Sequence, residues 1–379
     1  MTAKDWWLYQ GAGDHAEKIA RLKDSPAPPW RTFDGTSDVS YQAPGCSGPA
    51  WSRTLERGAG YVPDDEETDV VNTALYLRRP LLVTGKPGVG KSTLAHSIAA
   101  DLGLGPVLHW PVTSRTVLRD GLYLYDAIGR LQEANLHKLR TDAAAGADVS
   151  TNATASAAAL ADAPPDEAAA RAAAMPSVPQ AAPSSISRFL RLGPLGTALL
   201  PRDQPRVLLI DEIDKSDIDL PGDLLTLFEE GGFEIPELAR LSVDEPAVNI
   251  ATDDGPDLLA RIDGGRVRCR YFPIVILTSN GEREFPPAFL RRCVRLHLEP
   301  PGPKKLARIV RRRLGVDAGE HGKYHSLLQD FIDRRMDGDL ATDQLLNAIQ
   351  LRLSRAWTDD ADRVRFLDTV MQQLTGPPA

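Results

Sequence analysis

The sequence predicts an α/β protein, with a mostly parallel β-sheet covered by helices on both faces and a smaller all-helical domain after it. Three observations predict this. Between residues 80 and 298, short apolar runs alternate with helical patterns, as strands joined by crossover helices do. One run leads into a glycine-rich loop that opens a helix, and another ends in two adjacent carboxylates. After Pro300-Pro301 the strand pattern stops and only helical periodicity remains, which marks a domain boundary.

Composition sets the outer limits. A chain of 379 residues, 42% hydrophobic and 25% charged, can bury a sizeable core and resembles an ordinary soluble protein. Its 52 acidic residues against 44 basic ones give a formal charge of −8, which counts against a surface broadly committed to nucleic acid. No stretch approaches the roughly 18 uninterrupted apolar residues of a membrane helix, and the first residues lack the apolar core of a signal peptide. Cys46, Cys269 and Cys293 are odd in number and far apart, which suits neither a disulfide framework nor a zinc site. A reduced, cytoplasmic setting with no membrane association is the expectation.

The elements follow in order. Residues 1–60 are rich in Trp, Pro and Gly, with little periodicity beyond a short helix near 14–23. Exposed indoles are unfavourable in water, so this segment either wraps over the body or docks on a partner. A helix is expected over 65–78, acidic at its start and basic at its end, and stopped by Pro80. Strands are expected at Leu81–Val83, Val107–Trp110, Val207–Ile210, Ile274–Thr278 and Val294–Leu298, with helices over 91–102, 116–140 and 219–230. Residues 141–185 are dominated by Ala and Pro with few large apolar side chains, which predicts a disordered insert, with Asp166–Ala174 able to form a short helix. The domains are therefore an irregular segment 1–60, an α/β domain 61–299 and a helical domain 300–379.

The residues that carry chemistry lie at the ends of these strands. Gly85-Lys86-Pro87-Gly88-Val89-Gly90-Lys91-Ser92 fits G-x-x-x-x-G-K-[ST]. Glycines let a backbone curl until several N–H groups face a phosphate, Lys91 adds a positive charge, and Ser92 offers a hydroxyl to Mg²⁺. Average composition would produce such a match in a chain of this length on the order of once in a hundred, and here it also joins a strand to a helix. The apolar run Val207-Leu-Leu-Ile210 ends in Asp211-Glu212. Carboxylates at the end of a buried strand need compensation, which Mg²⁺ would give Asp211, leaving Glu212 to polarise water; the alternative is an ordinary loop start. Asn280, at the tip of Ile274–Asn280, is either a turn residue or a holder of the attacking water. Arg291 and Arg292, with Arg295 close by, either end a solvated helix or stabilise a transferring phosphoryl group. Lys304, Lys305, Arg308, Arg311, Arg312 and Arg313 alternate with Leu306, Ile309, Val310 and Leu314 at helical spacing, so they line a wet helix face or meet an anionic ligand.

In this order, these elements resemble the P-loop nucleoside triphosphatases of the AAA+ superfamily, and the surrounding residues resemble its MoxR branch. The likeness rests on Thr113–Arg119 with Tyr125–Arg130, on Asp211–Asp217 through Leu224-Leu225 to Phe233–Pro236, and on Pro286–Arg292. It covers about 64–298 well, the helical 301–379 less specifically, and 1–60 not at all. It implies that Gly85 to Ser92, with Thr93, bind the phosphates of ATP, and that Ser92 and Asp211 hold Mg²⁺. Glu212 and Asn280 would be catalytic, and Arg292, or Arg291 in its place, would reach the nucleotide of a neighbouring subunit in a ring, usually a hexamer. The resemblance places one insert within Gly121–Pro194 and a hairpin within Phe233–Tyr271. The chain departs from the pattern where an arginine of the helical domain would meet the phosphates, since Asp339–Asp343 stands there, with Arg335 or Arg352 as the alternatives and no spacing that selects between them.

Two functions are expected, the first implied by the resemblance and the second favoured by the Trp-rich segment 1–60, which suits a docking role. One is a chaperone-like ATPase whose ring remodels a client, often a von Willebrand A domain protein in this branch. The other is an ATP-gated switch or scaffold in a defence or signalling complex, with slow turnover.

Overall fold

The computed structural model describes residues 4–11, 14–36, 41–140, 185–241, 247–337, 340–354 and 369–371. The expected insert 141–185 lies outside these residues except for Ser185, as does Asp339.

Five parallel strands form the central sheet: β1 (Leu81–Gly85), β2 (Leu108–Pro111), β5 (Val207–Asp211), β10 (Ile274–Ser279) and β11 (Val294–Leu298). Their spatial order is β11-β1-β10-β5-β2, so β5 lies between β10 and β2. Alternation along each strand feeds two apolar layers. Leu81, Val83, Val207, Leu209 and Ile276 meet Leu94, Ala95, Ile98 and Val71 on one face. Leu82, Leu208, Ile210 and Leu277 meet Leu195, Leu224, Phe228 and Phe289 on the other. Each such side chain, once buried, contributes about 1.5–3 kcal/mol before chain entropy is counted. The helices Asp65–Leu77 and Lys91–Leu102 cover the first face, and Pro194–Ala198 and Leu220–Glu230 the second.

A second sheet, in the order β3-β4-β7-β8-β9-β6, comprises β3 (Tyr123–Tyr125), β4 (Leu190–Leu192), β6 (Gly232–Glu234), β7 (Ala247–Thr252), β8 (Gly255–Asp263) and β9 (Arg266–Arg268). It corrects the expected long helix over 116–140. That stretch is a short helix Leu118–Leu122, then β3, then helix over 127–140, because Tyr123–Tyr125 pairs antiparallel with Leu190–Leu192. The gain from this distant partner is invisible to local periodicity.

The N-terminal segment wraps over the body. The backbone N–H groups of Leu8 and Tyr9 donate to Asn72 Oδ1 at 2.7 and 2.9 Å, and Asn72 returns a bond to the Tyr9 carbonyl at 2.9 Å. Trp7 and Trp51 are buried, whereas Trp6 and Trp30 remain exposed. A helix Gly48–Ala59 packs on Lys91–Leu102 in a stretch where little periodicity was expected. Its buried face is Trp51, Thr54 and Gly58, so two of the three contact residues carry no apolar signal. Near the C-terminus the helices Pro303–Leu314, His325–Asp337 and Thr342–Leu353 enclose a cluster of their own around Val310, Phe331, Leu345 and Ile349.

A buried ion pair ties the two sheets. Arg206, just before β5, donates to both oxygens of Asp254 at 2.8 Å and to the Pro106 carbonyl at 3.0 Å. Asp254 sits in the β7–β8 turn and also accepts the Tyr41 hydroxyl. Removing one partner leaves a buried charge alone. Asp254→Ala should therefore lower unfolding stability by about 3–5 kcal/mol in urea titrations, with a smaller loss when Arg206→Met accompanies it.

Candidate functional site

The loop between β1 and the helix Lys91–Leu102 curls through left-handed backbone at Gly88 (φ 75°) and Gly90 (φ 104°), a region open to glycine but costly for other residues. Gly88 also needs its hydrogen because a Cβ there would come within 2.3 Å of Ala341 Cβ, at the start of the helix Thr342–Leu353. Beyond Gly90, the first turn of Lys91–Leu102 leaves backbone N–H groups without intrahelical partners, which suits an anion.

Lys91 is buried, and its three donors are met by neutral acceptors: Gly85 O at 2.7 Å, Lys86 O at 3.0 Å and Asn280 Oδ1 at 2.7 Å. Burial holds its ammonium below the usual lysine range, opposed by Asp214, Asp211 and Glu212. An anion in the loop would offer the ammonium better partners than carbonyl groups.

Asp211 ends β5 and is the hub of the site. Its Oδ1 accepts from Ser92 Oγ at 2.8 Å and Thr278 Oγ1 at 2.5 Å, and its Oδ2 lies 3.3 Å from His109 Nε2. Burial alone would raise this carboxyl, but the bonds from His109, Thr278 and Ser92 outweigh it and hold the group down at about 2. Thr278 also accepts the Glu212 N–H at 2.9 Å, so β10 fixes both Asp211 at the end of β5 and Glu212 just after it. Ser92 donates its proton to Asp211 and keeps its lone pairs for another ligand.

Glu212 lies in the left-handed region (φ 61°), where a non-glycine residue costs about 1–3 kcal/mol. Strain of this size at a strand tip is a mark of functional positions. The Glu212 side chain meets Lys215 at 2.8 Å with both groups over 40% exposed, a pair weak enough to exchange for another contact. Asn280 is aimed by Asp214, which is buried and whose Oδ2 accepts the N–H groups of Asn280 at 2.8 Å and Glu282 at 3.2 Å.

These groups face a cleft of about 520 Å³ between the sheet and the C-terminal helices. Pro87 to Thr93, Asp211, Glu212, Thr278 and Asn280 line one side, and Lys305, Ile309, Arg313 and Leu346 the other. The structure thus brings together most of the loop with Lys91, Ser92, Thr93, Asp211, Glu212 and Asn280. Gly85 contributes its carbonyl, and Lys86 lines a smaller neighbouring cavity. Arg292 is not among the cleft residues. It pairs with Glu229 on the same chain, and Arg291 is exposed.

The basic run divides. Lys304, Arg308 and Arg311 are exposed, as a wet helix face predicts. Lys305 instead pairs with Asp64 at 2.8 Å and Glu67 at 2.6 Å, Arg312 donates to Tyr61 O, and Arg313 donates to the carbonyls of Glu56 and Arg57. Of the two substitute arginines, Arg335 donates to Pro301 O and lines the smaller cavity beside Lys86, Pro87 and Gly88. Arg352 borders neither cavity, and Asp343 lines the main cleft where an arginine was sought. Sequence reasoning missed Thr278, Asp214 and His109. The legible signal was a polar residue inside or just beyond an apolar run, at Thr278 and at Asp214.

Among the described residues no three His, Cys, Asp or Glu side chains gather to hold a metal by themselves. A single carboxylate beside a free-lone-pair hydroxyl, Asp211 with Ser92, nevertheless fits Mg²⁺, which commonly takes one or two protein ligands and completes its shell with water and substrate phosphates. Compared with models of known protein families and with curated proteins, the chain matches none.

His96 lies one turn beyond Ser92 on the same helix and is buried. Burial pushes its imidazole down to about 4, helped by the charges of Arg57 and His109 and opposed by Asp211. The unfolded chain takes up this proton near pH 6.5 and the folded chain does not, so the stability His96 confers is complete above that pH and falls as pH drops toward 4. Between pH 7 and pH 5 the parent should therefore lose about 2 kcal/mol more than His96→Leu, as read from denaturation midpoints at each pH.

Proposed function

We propose that this protein is a P-loop nucleoside triphosphatase of the AAA+ type, similar to the MoxR branch, that binds ATP with Mg²⁺ and hydrolyses it in a ring of subunits to remodel a client protein or complex. The observation that carries the reading is the convergence of Lys91, Ser92, Asp211, Glu212 and Asn280 on one cleft, at the ends of adjacent parallel strands. Ligands of open parallel sheets sit at this edge, beyond the carboxyl ends of the strands.

Each residue then has a definite task. The curled loop and the start of Lys91–Leu102 cradle the phosphates. Lys91 exchanges its carbonyl acceptors for β- and γ-phosphate oxygens, which releases Asn280 Oδ1 to hold the attacking water. Glu212 leaves Lys215, accepts a proton from that water as its oxygen bonds to the γ-phosphorus, and the bond from the γ-phosphorus to the β–γ bridging oxygen breaks, giving ADP and phosphate. Ser92 and Asp211 would hold Mg²⁺, which would supply positive charge to the phosphate oxygens. The helices after Pro300 close the far side of the cleft as a lid and contribute Lys305 and Arg313. Arg292 lies outside its own chain's cleft, as a residue acting on a neighbour's nucleotide would, and the ring follows from that role.

The choice of adenine and of a von Willebrand A-type client rests on the resemblance alone. No helix among the described residues is long and apolar enough to cross a membrane, and the formal charge of −8 gives no support to a nucleic-acid partner.

Glu212→Gln should bind ATP within about threefold of the parent yet release phosphate at least ~10²-fold more slowly; turnover at the parental rate would remove Glu212 from its role. Arg292→Ala should lose ~10³-fold or more in turnover at full nucleotide occupancy. Mixing the two variants should recover activity that neither shows alone, because an Arg292→Ala site then receives Arg292 from a Glu212→Gln neighbour. A mixture no more active than its components would contradict the shared site.

A further inference from the structure

We infer that His109 is a positioning residue for Asp211, orienting the carboxylate so that one acceptor site remains aimed at the metal; the inference rests on the Mg²⁺-dependent reading above. An ionised carboxylate has about four acceptor sites, two on each oxygen. Ser92 and Thr278 occupy both on Oδ1. His109 occupies one on Oδ2 and leaves one. Because the carboxylate only accepts, Nε2 of His109 carries the proton in this contact.

The strand register places the imidazole there. In the parallel pairing of β2 with β5, His109 stands opposite Leu209 and Pro111 opposite Asp211. His109, Leu209 and Asp211 therefore share the sheet face turned toward Lys91–Leu102, and His109 reaches Asp211 along the diagonal. Leu108 and Trp110 on either side are buried, whereas the His109 side chain is 39% exposed. Its place in the strand is thus not explained by packing.

A donor on the second oxygen matters because the carboxylate torsion of aspartate is soft. Ser92 and Thr278 both hold Oδ1 and leave the plane free to tilt about that oxygen. The third bond, from a different strand, fixes the plane and with it the direction of the remaining lone pair. Partners of this kind change metal affinity by about 10–100-fold when removed.

The test is calorimetric titration of the full chain with a non-hydrolysable imido analogue of ATP, at a series of Mg²⁺ concentrations and in EDTA. For His109→Ala, the Mg²⁺ concentration giving half of the metal-dependent gain in affinity should rise about tenfold or more. Affinity in EDTA, which does not involve the metal, should stay at the parental value. His109→Gln, which restores an N–H donor of similar reach, should recover most of the parental Mg²⁺ dependence, and turnover of His109→Ala should return at saturating Mg²⁺. If the alanine variant does not fold, His109→Asn, polar but too short, takes its place. An unchanged or lowered Mg²⁺ requirement in His109→Ala overturns the inference, as does a glutamine variant no better than alanine. A parent whose affinity for the analogue ignores Mg²⁺ would instead overturn the reading of the site itself.

Discussion

One carboxylate organises the centre of this molecule. Asp211 ends a strand whose other residues are buried, so its charge must be met by donors or be lost. Those donors come from three different elements: Ser92 from the helix after the glycine loop, Thr278 from β10 and His109 from β2. The strand order makes this possible, since β10 and β2 flank β5. Thr278 passes the constraint on to the Glu212 backbone, and Asp214 extends it to the turn that carries Asn280. A change in the register of any of these strands would disperse the whole group.

The second determinant is the approach of the C-terminal helices. Ala341 rests against Gly88, and Lys305 reaches Asp64 and Glu67 at the start of Asp65–Leu77. Glu67 in turn accepts the Tyr61 hydroxyl and the Asp64 N–H. Contacts from the first and the last helix of this unit therefore set the width of the cleft.

Much of the central sheet was legible because its strands are continuous apolar runs bounded by glycine, proline or charge, and the structure gives them as parallel strands within one or two residues of the expected limits. The glycine loop and the Asp211-Glu212 pair were legible for the same reason, since each interrupts a strong local pattern. Of the second sheet only a hairpin within Phe233–Tyr271 was expected, from the resemblance, and β7 and β8 form one there. β3, β4, β6 and β9 have three residues each, and β3, β4 and β6 gain stability only from partners far away in the chain. Gly48–Ala59 was hidden because two of its three buried residues are Thr54, which accepts the Val107 N–H, and Gly58, whose lack of a Cβ lets the backbone approach His96 and Ser97. His109 was hidden because its meaning lies in a diagonal across two strands whose pairing the sequence does not state. The same holds for the Arg206–Asp254 pair, in which a residue next to a strand meets one in a distant turn.

The central claim is that the curled loop and the Lys91 ammonium hold a triphosphate beside Asp211. Isothermal titration of the parent and of Lys91→Ala with Mg·ATP tests it most directly. The account predicts saturable heat with a single site per chain for the parent and a loss of affinity of at least ~10²-fold for Lys91→Ala, the worth of about two charge-assisted hydrogen bonds. A well-folded parent that gives no heat of binding, or a Lys91→Ala protein that binds as the parent does, would contradict it.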